Sequence, residues 1–135
     1  MRVFVDTNII ISAMLFPSGK VAKVFSHLLE EHTLIISSYT KKECEEVFEK
    51  KFPSKKKQLN VFFKGINFEE FESPEKIDEK DYPEIRDIKD LPILVSAILS
   101  DCDVLITGDK DFESIRLDKP LIFTPSRYFE LIKAK

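Results

Sequence analysis

Hydrophobic residues along this chain change their spacing repeatedly, and each change marks an element. Val3-Phe4-Val5 is an uninterrupted β-branched and aromatic run that stops at Asp6-Thr7-Asn8, the pattern of a strand buried on both faces in a parallel sheet. Ile9 to Phe16 is almost entirely apolar, which predicts a short buried helix capped by Thr7 or Asn8 and broken by Pro17-Ser18-Gly19. Val21, Val24, Phe25, Leu28 and Leu29 then recur at three- and four-residue intervals, marking an amphipathic helix from Lys20 to Glu31. Leu34-Ile35-Ile36 reads as a second buried strand. A strand, a helical crossover and another strand form a parallel unit with right-handed connection.

Thr40 is three residues before Glu43, a capping-box spacing at the head of a helix carrying Cys44, Val47 and Phe48. Pro53 ends that helix, and Ser54 is placed to cap another through Leu59, Phe62, Phe63 and Ile66. Phe68 and Phe71 suggest a short edge strand. From Ser73 to Lys89 prolines and charges outnumber apolar residues, which predicts a surface loop. Asp90-Leu91-Pro92 opens a helix over Ile93 to Leu99, with Asp90 as its N-cap and proline in its first turn. Asp103 to Thr107 is the next strand, Asp109 to Phe112 a helical turn, Pro120 to Thr124 the last strand, and Tyr128 to Ile132 part of a final amphipathic helix. This alternation predicts a three-layer α/β sandwich.

At 135 residues the chain is expected to form one domain, spanning residues 1–135. A net charge of -3 provides no general basic field for nucleic acid. A local one exists at Lys41, Lys42, Lys50, Lys51, Lys55, Lys56 and Lys57, read either as a solvated helix face or as a surface that tracks phosphates. Cys44 and Cys102 have no metal-ligand spacing, so free buried thiols in a reducing cytoplasm are expected. No apolar stretch approaches the roughly twenty residues of a membrane span, and Met1-Arg2 runs straight into a strand. A soluble cytoplasmic protein is the expectation. His27 and His32 are read as surface histidines.

The chemistry suggested by the pattern is acidic. Asp6, Glu43, Asp90 and Asp109 each fall at a strand end or at the start of the helix after one, the edge where open α/β sheets bind ligands. Asp87 and Asp111 are close by in sequence. Carboxylates gathered together repel unless solvated or holding a cation, and oxygen ligands favour Mg²⁺ or Mn²⁺ over zinc. Such a cluster supports phosphodiester hydrolysis without a protein nucleophile. Thr7, Asn8 and Thr107 are placed to orient the ligands through hydrogen bonds. A phosphatase that uses an Asp-x-Asp nucleophile is disfavoured because position 8 is Asn, and a toprim-like nuclease because Asp6 stands where it has glutamate.

Asp6-Thr7-Asn8, Ser37 through Glu43 to Val47, Arg86-Asp87 through Asp90 to Leu94, and Thr107 to Phe112 resemble, in matching order, the PIN domain family. The resemblance is strongest to its small prokaryotic VapC-type ribonucleases of toxin–antitoxin pairs. It implies a parallel five-stranded sheet, a homodimer, Mg²⁺- or Mn²⁺-dependent cleavage of single-stranded RNA, and a possible antitoxin partner. The family's acidic quartet would map onto Asp6, Glu43, Asp90 and Asp109, with Asp87 and Asp111 as additional candidates. A PIN-shaped scaffold that holds RNA or a protein without turnover is the alternative. The helix from Ile9 to Phe16 and the one from Lys20 are candidate docking or dimer surfaces.

Overall fold

The computed structural model describes residues 1–133 and arranges them around five parallel strands in the order β3-β2-β1-β4-β5. These are β1 (Arg2–Val5), β2 (Thr33–Ser37), β3 (Glu69–Phe71), β4 (Val104–Ile106) and β5 (Leu121–Phe123). Among the described residues six helices accompany them, five between strands and one after β5: α1 (Thr7–Leu15), α2 (Lys20–Glu31), α3 (Ser38–Lys51), α4 (Lys56–Gly65), α5 (Leu91–Leu99) and α6 (Pro125–Lys133). Short 3₁₀ turns form at Pro53–Lys55, Glu79–Asp81, Ile88–Asp90 and Lys110–Phe112. Among the described residues no single helix is long and apolar enough to cross a membrane.

Register explains why the central strands read as continuous apolar runs. Phe4 is level with Ile35 on one side and with Leu105 on the other, and because side chains alternate across a strand these three point to the same face. They pack there against Leu94, Val95, Ala97 and Phe112. Val3, Val5, Leu34, Ile36, Val104 and Ile106 point the opposite way, into a larger cluster with Ile10, Val24, Leu28, Phe48, Leu59 and Tyr128. The three layers are therefore lopsided. Side chains from α1, α2, α3, α4 and α6 join the larger cluster, whereas the smaller is covered mainly by α5, with Tyr39 from the first turn of α3 at its margin. The irregular segment between β3 and α5 adds Ile77, Tyr82 and Ile85 to the smaller side.

Helix α2 runs from Lys20 to Glu31, as its periodicity predicts. Several helix starts differ from expectation. The N-cap of α1 is Asp6, whose carboxylate accepts from the Ile9 amide at 3.3 Å, and not Thr7 or Asn8. Helix α3 begins at Ser38 with Ser37 as its N-cap, bonded to the Thr40 amide at 3.0 Å, so the Thr40–Glu43 capping box does not form. Ser37 wins because the preceding strand ends there, which places its hydroxyl over the first free amides. Ser54 does not cap α4; it lies inside a 3₁₀ turn and the N-cap position falls to Lys55 without a side-chain bond. Helix α5, by contrast, opens at Leu91 with Asp90 at its N-cap position and Pro92 in its first turn, and ends at Leu99, as the sequence predicts. Phe16 ends the apolar run as the C-cap of α1 and is 64% exposed, so that run is not buried to its end. Both cysteines are buried and free. His27 and His32 are half-buried rather than superficial, their rings lying edge-on to each other and to Tyr128 at 5.5–6.4 Å between centroids.

Candidate active site

Three strands deliver polar groups to the carboxyl edge of the sheet. β1 hands the chain directly to Asp6, which is 3% exposed. One of its carboxylate oxygens accepts from the Ile9 amide and the other from the Thr107 hydroxyl, just beyond β4. Thr107 Oγ1 in turn accepts from the Asp109 amide at 3.1 Å, and Asp109 Oδ1 from the Asp111 amide at 2.8 Å. A hydrogen-bonded path thus runs from Asp6 through Thr107 to Asp109 and the backbone of Asp111. Burial raises the Asp6 carboxyl to about 6, although both donors and the Asn8 amide hold it lower than burial alone would.

Glu43 comes from the second turn of α3. Released from capping, its carboxylate accepts a hydrogen bond from Thr7 Oγ1. Thr7 and Thr107 thus each donate a hydroxyl to one acidic group. Asn8 is exposed and makes no comparable contact among the described residues.

The closest gathering of acids is elsewhere on the same edge. Asp87, Asp90 and Asp111 each offer a carboxylate oxygen, and these three atoms lie within 4.8 Å of one another. Asp90 occupies the N-cap position of α5 but makes no side-chain cap bond. Its carboxyl is pushed up to about 8, first by burial and then by the adjoining carboxyl groups of Asp111 and Asp109. Asp87 bends back to accept from the Lys89 amide at 3.0 Å, and Asp111 is 3.5 Å from Arg86 Nε. Asp6 and Glu43 stand outside this triad. Asp109 adjoins it through Asp90.

Tyr39 and Arg86 join the site although the sequence does not mark either as a site residue. The Tyr39 hydroxyl donates to the Lys89 carbonyl at 3.3 Å, holding the 3₁₀ turn that carries Asp90 against the start of α3. Burial raises the Tyr39 phenol, with Glu43 and Asp90 adding to the effect. The signal available for Tyr39 was an aromatic side chain in an otherwise polar helix start. Arg86 immediately precedes Asp87 in sequence but reaches Asp111, a contact no local pattern encodes. A serine relay anchors the same region: Ser73 Oγ accepts from the Tyr39 amide at 3.3 Å and meets Ser96 Oγ at 2.9 Å, while Ser38 Oγ accepts from the Ser73 amide at 2.9 Å.

The donor set suits a hard divalent cation. Three carboxylate oxygens converge, with no sulfur or nitrogen ligand among them, the oxygen-only set that such a cation prefers.

The model of the PIN domain matches residues 2–111. The crystal structure of VapBC2 from Rickettsia felis bound to a DNA fragment from its promoter contains a chain of similar fold, with a TM-score of 0.68 and 19% sequence identity. The similarity covers 92% of this chain and 98% of that one. No curated protein matches.

Proposed function

The chain belongs to the PIN domain family, and on that premise we propose that it is a metal-dependent endoribonuclease that hydrolyses phosphodiester bonds of single-stranded RNA. The reading is carried by the convergence of Asp87, Asp90 and Asp111, with Asp109 beside Asp90 and Asp6 tied to Asp109 through Thr107. Asp90 and Asp111 would hold Mg²⁺ or Mn²⁺, with Asp87, Asp109, Asp6 and Glu43 completing the acidic floor. A cation bound there supplies a Lewis acid and lowers the pKa of water, so that hydroxide is available near neutral pH.

The chain's own residues supply orientation and charge. The Thr107 hydroxyl orients the Asp6 carboxylate through a hydrogen bond, and Thr7 does the same for Glu43. Tyr39 holds the Asp90 turn in place. Arg86, 74% exposed at its side chain and 3.5 Å from Asp111, brings to the acidic cluster a cation available to a substrate phosphate. With the fold shared with a chain of the VapBC2 complex, a role as the toxin of a toxin–antitoxin pair, inhibited by a protein partner, completes the proposal.

The test is cleavage of a labelled unstructured RNA in Mg²⁺ or Mn²⁺, with and without chelator, by the parent and by Asp90→Asn. Metal-dependent cutting by the parent, lost by at least a hundredfold in a folded variant, is expected. Absence of both cutting and divalent-ion binding at millimolar concentration would leave a PIN-shaped scaffold as the better description.

A further inference from the structure

Charge along the middle of the chain is sharply divided. Residues 50–68 contain six lysines (Lys50, Lys51, Lys55, Lys56, Lys57 and Lys64) and no carboxylate, whereas residues 69–90 contain ten carboxylates against four cations. The basic stretch is the corner where α3 passes through the Pro53–Lys55 turn into α4. All six lysines are exposed. Among the described residues Lys56 alone of the six has an ion-pair partner, Glu49 at 4.0 Å, so five cations face solvent uncompensated.

Helix geometry connects this corner to the acidic edge. Lys50 follows Glu43 by seven residues on one continuous helix, which returns it to nearly the same angular position about 10 Å along the axis. On α4, Val61 is 70% exposed between Lys57 and Lys64, four residues after one and three before the other, so an aliphatic side chain is framed by cations on one face. Such a face offers phosphate contacts with an apolar centre against which a nucleobase can rest. The acidic stretch past β3 presents the opposite field and repels a polyanion.

We propose that the α3–α4 corner, with Lys50, Lys51, Lys55 and Lys57, is a docking surface for the phosphate backbone of single-stranded RNA flanking the cut position. This rests on the ribonuclease reading and adds where the substrate lies. It also implies a minimum substrate length, because a fragment that reaches only the acidic floor gains nothing from the corner.

The test compares Asp90→Asn with the same protein carrying in addition Lys50→Gln, Lys51→Gln, Lys55→Gln and Lys57→Gln. Binding of a labelled twelve-nucleotide RNA is followed by fluorescence anisotropy over a salt series. Removing four phosphate contacts should weaken binding at least tenfold near physiological salt and flatten the log–log salt slope by roughly 3, at about 0.7 per contact for single strands. In the otherwise native enzyme the four substitutions should raise KM for the long RNA and leave cleavage of a trinucleotide unchanged. Unchanged affinity and slope, with the parent still cutting RNA, would overturn this inference and leave the nuclease standing. So would binding of an acidic peptide, in place of RNA, to the lysine corner. If the parent neither binds nor cuts RNA, the nuclease reading fails and the docking surface with it.

Discussion

Replacing Asp6 by Asn tests whether a buried negative charge sits at the centre of the sheet edge. Burial raises the Asp6 carboxyl from an ordinary 3.8 to about 6, a shift of about 2 units worth ~3 kcal/mol. The folded protein holds this proton more tightly than the unfolded chain does. Its relative stabilisation is therefore complete below about pH 4, declines as pH rises through 6, and is gone at pH 8. Asparagine caps a helix as well as aspartate and never ionises. It must, however, turn its amide toward either Thr107 or the Ile9 amide, one of which loses its acceptor, at a cost of about 1 kcal/mol. Without metal, the variant should thus be more stable than the parent by about 2 kcal/mol at pH 8 and less stable by about 1 kcal/mol at pH 4. For a domain of this size the alkaline difference corresponds to a Tm higher by roughly 6–8 °C. Calorimetry in chelator at the two pH values measures both signs, and repeating it in Mn²⁺ should raise the parent's Tm at pH 8 more than the variant's. A variant less stable by the same amount at both pH values would refute the reasoning, since Asp6 would then act as a cap and not as a confined charge.

Thr107→Val keeps the shape of a buried side chain but removes the donor to Asp6 and the acceptor of the Asp109 amide; urea unfolding at pH 8 should show a loss of about 2–4 kcal/mol. Arg86→Gln removes an exposed partner of Asp111, so the urea midpoint should stay within experimental scatter, while Mn²⁺ binding measured by calorimetry should tighten two- to fivefold because a competing cation is gone.

The middle of the sheet is written plainly in the sequence because β1, β2 and β4 are buried on both faces, so Val3-Phe4-Val5 and Leu34-Ile35-Ile36 need no partner context to be recognised, unlike the exposed edge strand β3. Helix α2 is equally legible from its strong apolar stripe. Caps are harder, because Ser37 and Thr40 are both competent and only the point where β2 stops decides between them. The acidic edge was visible as a set of candidates, and their order along the chain places them on one side. Which carboxylates meet was not visible. Asp90 and Asp111 are brought together by how residues 73–89 return to α5, and that path is held by Ser73, Ser96 and the Tyr39 hydroxyl. These are single hydrogen bonds between distant residues, and they leave no periodic trace.

The lopsided layering divides the acidic edge between two mechanical regimes. Asp6 is anchored by a central strand under a thick helical layer, whereas Asp87 and Asp90 ride on a stretch whose regular structure is limited to two 3₁₀ turns. Capturing an ion between Asp90 and Asp111 would staple that stretch to the strand-borne half. Amide deuteration between Glu75 and Asp90 should then slow markedly on adding Mn²⁺, with the buried central-strand amides of Val3 to Val5 unaffected, so that the cation serves as a fastener of the thin side of the molecule.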